Sequence, residues 1–124
     1  MVEHLQSAEK AGEAYLNLVL DMSSHLSRAK NLAENVSVSA VDKVVVTGMG
    51  GSAIAGNLLQ AYCAEKAPEL PVFVSRNYEL PHFVDSKTLV FAVSYSGNTE
   101  ETLSAVKTAM RKGAKLVFVS SGGK

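Results

Sequence analysis

The chain has 124 residues, 47% of them hydrophobic and 19% charged, a balance that reads as one soluble globular domain with a real core rather than two domains or a disordered chain. Lys+Arg and Asp+Glu both number 12, so the formal net charge is zero. That argues against nucleic acid or an anionic membrane surface as the partner, because neutralising arrays of phosphates needs a positive excess.

The first 36 residues read as helix. Leu5, Ala8, Tyr15, Leu16, Val19, Leu20, Leu26, Ala29, Leu32 and Ala33 recur mostly at spacings of three and four, which makes an apolar stripe. Gly12 weakens this stripe as a point where it could split, and Asn35 is the predicted stop. After Asp42 the texture changes. Lys43–Thr47 (KVVVT) is a short β-branched run, the pattern of a strand buried on both faces. A glycine loop, Gly48–Gly51, follows, and Ser52–Ala64 carries Ile54, Leu58, Leu59 and Tyr62 at helical spacing. Pro68 and Pro71 bracket a turn before a second strand, Val72–Ser75. The stretch Asn77–Lys87, with Pro81 inside it, is too irregular for a full helix. Thr88–Val93 is a third strand, Ser94–Asn98 a second polar loop, and Thr99–Lys112 a helix closed by Gly113. Lys115–Val119 is a fourth strand, and Ser120–Gly123 a third loop.

Short apolar strands alternating with helical segments are the rhythm of a parallel sheet covered on both sides, an α/β three-layer αβα sandwich of flavodoxin-like type. The N-terminal helical segment, 1–36, precedes a domain at 37–124. A further helix and a fifth strand are expected after the fourth strand, so the chain reads as part of a larger α/β protein.

Two loops carry the chemistry. The first, Thr47-Gly48-Met49-Gly50-Gly51-Ser52-Ala53, leaves a strand and opens a helix. Glycines there let a ligand approach the backbone N–H groups, and the helix N-terminus favours an anion. Ser52 is well placed as the helix N-cap, and a tight glycine turn with a serine cap is the plain structural explanation. The second, Ser94-Tyr95-Ser96-Gly97-Asn98-Thr99-Glu100-Glu101-Thr102, brings the hydroxyls of Ser94, Ser96 and Thr99 to another strand-to-helix junction. Hydroxyls with helix N–H groups form a neutral cradle for a phosphate monoester. Its structural explanation is capping, with Asn98 as cap and Glu101 reaching back. Glu100 and Glu101 suit the helix dipole but would repel a dianion, so they should point away from it. With strand order 2-1-3-4, both loops stand at the switch point of the sheet, where ligands bind in this kind of fold.

The segments GMGGSAIAGNLL at Gly48–Leu59 and SYSGNTEET at Ser94–Thr102 resemble the sugar-isomerase (SIS) domain, and more closely the N-terminal half of the bifunctional phosphoglucose/phosphomannose isomerases. VSRNYELP at Val74–Pro81 and SSGGK at Ser120–Lys124 resemble that family too, in register. The resemblance runs from about Lys43 onward. It implies an aldose–ketose isomerisation of glucose 6-phosphate or mannose 6-phosphate to fructose 6-phosphate, without metal or organic cofactor, in a homodimer. It puts the phosphate on Ser94, Ser96 and Thr99, with Ser52 beside them. Gly50 and Gly51 would line the reacting end of the sugar, where N–H groups steady a developing enediolate oxygen. The family's glutamate base, ring-opening histidine, arginine and lysine match no residue here, and a base within hydrogen-bond reach is needed to move the proton. The expectation is a domain that binds substrate and is catalytically incomplete alone.

Other residues weigh less. His4, His25 and His82 match no metal-ligand spacing. Cys63 is the single cysteine, which excludes an internal disulfide and points to the reducing cytoplasm; it reads as a small core residue. No apolar run reaches the ~18 residues of a membrane span, and the N-terminus lacks the pattern of a signal peptide. Arg76 could pair a substrate anion or a local carboxylate such as Glu79. Two alternatives stay open. Gly48-x-Gly50-x-x-Ala53 also satisfies a dinucleotide fingerprint, with Arg76 suited to the 2′-phosphate of NADP. A sensing domain that binds sugar phosphate without catalysis would need only the two loops.

Overall fold

The computed structural model describes residues 2–29, 37–38 and 40–123. The chain divides into two compact units, Met1–Val38 and Ser39–Lys124. The first unit holds helices α1 (Val2–Leu20) and α2 (Met22–Ala29). Gly12 lies inside α1, so the interruption falls at Asp21 and not at the glycine. One glycine costs a helix about 1 kcal/mol, which 19 residues of α1 absorb. The interruption is shallow, because Asp21 N–H still donates to Asn17 O at 2.9 Å and His25 N–H to Asp21 O at 3.0 Å. Asn35, the predicted stop, lies outside the described residues, as do Leu32 and Ala33.

The second unit is a four-stranded sheet built from β1 (Lys43–Thr47), β2 (Val72–Ser75), β3 (Thr88–Val93) and β4 (Lys115–Val119), with helices α3 (Gly51–Lys66) and α4 (Glu100–Arg111). Its order is β2-β1-β3-β4, as expected, and every pair is parallel. Register decides which side chains share a face. Val45 pairs with Val90, and Val90 with Leu116. These three pack with Ala105 and Ala109 of α4 on one face. Val44, Val46, Val72 and Leu89 pack on the other face, with Cys63 and Leu59 of α3. Alternation along β1 therefore feeds both layers, which is why its sequence is uniformly apolar. The small side chains at Ala105 and Ala109, both fully buried, bring α4 close to the sheet. Gly56 does the same for α3, since a Cβ there would lie 2.9 Å from the Val46 side chain.

The link from β2 to β3 has no helix among its residues. Leu80 and Val84 instead drop from it into the core cluster on the α4 face. Lys112, the C-cap of α4, pins this link by donating to the carbonyls of His82 at 2.8 Å and Val84 at 3.2 Å. Gly113 closes α4 as the sequence predicts. At φ 68° it donates to Met110 O, and Ala114 N–H donates to Ala109 O, which is the paired bonding of a Schellman motif. No described helix is long and apolar enough to cross a membrane.

Candidate functional site

Both chemistry-bearing loops leave the C-terminal ends of β1 and β3, the central neighbours of the sheet. The first loop is drawn tightly against the end of β3. A Cβ on Gly48 would lie 2.8 Å from Val93 O, so only glycine allows the approach. Gly50, at φ 52°, takes up the left-handed turn and is the N-cap of α3. Ser52 is not the cap. It is the second helical residue, and its N–H donates to Met49 O at 3.0 Å. The cap falls two residues earlier, at Gly50, whose positive φ a residue without a side chain reaches readily. No side chain caps α3, and its Ser52 hydroxyl makes no hydrogen bond among the described residues. Ser52 is half-buried, while Gly50 and Gly51 are exposed.

The second loop departs from the capping explanation as well. Thr99, not Asn98, is the N-cap of α4, and it makes no side-chain bond to the helix N–H groups. Its hydroxyl lies 2.8 Å from that of Ser94 instead. Ser94 is buried and also accepts from Gly97 N–H at 3.1 Å. Ser96 is exposed and accepts from Asn98 N–H at 3.2 Å. Among the described residues, the N–H groups of Ser96, Thr99, Glu100 and Glu101 find no acceptor. The loop thus spends its hydroxyls on its own turn and leaves helix donors unpaired, at the end of a dipole worth about half a positive charge. Glu101 lies beside Tyr78: its negative charge, then partial burial and the charge of Glu100, push the Tyr78 hydroxyl above the usual phenol range.

A cleft of about 660 Å³ opens beside these loops, lined by Met49, Gly51, Ser52, Tyr95, Ser120 and Ser121 among others. Ser52 and Gly51 thus share it with the third loop, and Ser94, Ser96 and Thr99 do not line it. The contributions of Tyr95 and the third loop were missed from the sequence, although the position of Ser120 and Ser121 just past a parallel strand was a usable signal. Arg76 makes no ion pair with Glu79 among the described residues; its exposed guanidinium donates to Asn57 Oδ1 of α3 at 3.0 Å. Glu79 offers its backbone carbonyl to Ser75 Oγ at 3.2 Å. Cys63 is buried within the α3-side core.

The SIS domain family matches residues 37–123. A bifunctional phosphoglucose/phosphomannose isomerase of Caldicellulosiruptor bescii is 52% identical over 112 residues, which cover 90% of this chain and 33% of that protein. A D-glucosamine-6-phosphate 4-epimerase of Sulfolobus acidocaldarius is 46% identical over 90 residues, 70% of this chain and 27% of that protein. A solved structure from Clostridium difficile 630, a candidate phosphosugar isomerase, superposes with a TM-score of 0.67 at 27% identity, covering 82% of this chain and 30% of that one. The chain spans about a third or less of the length of these proteins.

Proposed function

Because the chain belongs to the SIS domain family, we propose that it is the sugar-phosphate-binding domain of an aldose–ketose isomerase that interconverts glucose 6-phosphate and mannose 6-phosphate with fructose 6-phosphate in the cytoplasm. The domain is 37–124, preceded by the helical segment 1–36. The carrying observation is the second loop: a hydroxyl pair at Ser94 and Thr99 beneath an α4 N-terminus whose first N–H groups find no acceptor among the described residues. The identity to a phosphoglucose/phosphomannose isomerase through both loops supports the reaction class. Ser94, Ser96 and Thr99, with Ser52, receive the phosphate. Gly50 and Gly51 offer N–H groups to the reacting end of the sugar. No lysine or arginine stands in either loop, so the anion is held by dipoles and hydroxyls.

The proton transfer needs a base at the sugar carbons. Glu100 and Glu101 belong to the first turn of α4, where their charge suits the helix dipole. The base and the ring-opening residues come from outside this chain, in a longer protein that works as a homodimer without metal or organic cofactor. Calorimetric titration with fructose 6-phosphate, glucose 6-phosphate and NADP tests this. Sugar phosphates are expected to bind and NADP not to, and the 124-residue chain is expected to show no isomerase turnover. Binding of NADP alone would overturn the assignment, and clear turnover would overturn the incomplete site.

A further inference from the structure

The third loop, 120–123, lies directly on the second. Ser94 N–H donates to Val119 O at 3.0 Å, which carries the β3–β4 ladder one residue past the strands. The next contact is double. Ser121 gives both its hydroxyl, at 2.8 Å, and its N–H, at 3.3 Å, to the carbonyl of Tyr95. Beyond it Gly97 of the second loop faces Gly122 and Gly123 of the third. A Cβ on Gly97 would run into the Gly122 backbone and lie 2.8 Å from Gly123 Cα. Ser120 braces the third loop from within, through hydrogen bonds between its hydroxyl and the carbonyl and N–H of Gly122.

A trans peptide is one rigid plate, with the carbonyl oxygen and the following N–H on opposite edges. Fixing the Tyr95 oxygen on the third loop therefore fixes the Ser96 N–H, and turns it away from that loop. Among the described residues, Ser96 N–H is one of the donors without an acceptor. We propose that Ser121 is a positioning residue for the second loop: it holds the Tyr95 carbonyl, and so sets the direction in which the Ser96 N–H and the turn through Gly97 meet a phosphate. This rests on the sugar-phosphate assignment above.

The full chain carries the test. Ser121→Ala removes the shorter of the two donors and keeps the N–H, so affinity for fructose 6-phosphate falls about threefold to tenfold, the effect of one hydrogen bond. Ser121→Thr keeps the hydroxyl and restores affinity. The amide resonances of Ser96 and Gly97, read by NMR without ligand, shift in Ser121→Ala and return in Ser121→Thr. If the alanine variant does not fold, Ser121→Cys, with a weaker donor of similar size, makes the same comparison. Unchanged affinity together with unchanged Ser96 and Gly97 amides overturns the positioning role. Should the unmodified chain bind no sugar phosphate, the functional assignment fails, and the ligand-free amides alone decide whether Ser121 sets the loop.

Discussion

The hydroxyls of Ser94 and Thr99 lie 2.8 Å apart, so the side chain that starts α4 is bonded to the end of β3 and not to the N–H groups of its own helix. Thr99→Ala and Ser96→Ala are each expected to weaken fructose 6-phosphate binding roughly tenfold while the domain stays folded. Loss of the Ser94–Thr99 bond costs about 1 kcal/mol, a drop of about 4–8 °C in melting temperature for a domain of this size. Calorimetric titration and a thermal melt read the two effects separately. A collapsed fold with residual affinity unchanged would mark the hydroxyls as structural only.

Val90 is fully buried between Val45 and Leu116 on the α4 face. Val90→Ala leaves a void that neighbouring strands cannot close, since all three are held by the parallel ladder. A loss of about 2–3 kcal/mol is expected from urea unfolding. A loss below about 0.5 kcal/mol would mean that α4 can settle onto the sheet.

Lys112 ties the β2–β3 link to α4 through the carbonyls of His82 and Val84. Lys112→Met keeps much of the aliphatic stem and removes the donor, at a cost of about 1 kcal/mol. The local consequence is the better test: faster amide exchange between Leu80 and Asp85, with little change in β1. Uniform exchange across the domain would show that the link opens only with the whole fold.

Asp85 sits at the opposite end of the sheet from the loops. Its carboxylate is held below the usual range, first by the N–H of Lys87 and then by Lys43 and Thr88. A carboxylate with a lowered folded pKa contributes stability above its unfolded value of about 3.9, and that contribution is lost as pH falls through the folded value. Asp85→Asn is therefore expected to be less stable than the unmodified chain at pH 6, with the gap closing below about pH 4. A gap that stays constant from pH 6 to pH 3 would contradict this linkage.

Much of the fold was legible because its signals are local. β-branched runs mark the strands, Gly113 marks the end of α4, and the irregular Asn77–Lys87 stretch marks a link without a helix. The helix starts were less legible. Ser52 and Asn98 have the right chemistry for N-caps, but Gly50 and Thr99 have the right backbone positions. Cap choice depends on where the strand releases the chain, and composition does not carry that. Arg76 shows the same limit: its nearest acid in sequence is Glu79, yet its partner is Asn57 on the preceding helix.

Residue pattern alone was sufficient for the element types of the second unit and for the two strand-to-helix junctions that hold the loops, because each follows from periodicity; the strand order 2-1-3-4 entered as a condition, which the sheet meets. Folding decided which groups spend their hydrogen bonds on the protein and which remain free. Ser121 reaches the Tyr95 carbonyl across 26 positions of sequence. That contact exists because β3 and β4 run side by side in a fixed register and deliver their exits to the same edge. Such pairings are properties of the sheet's geometry, and no spacing along the chain encodes them.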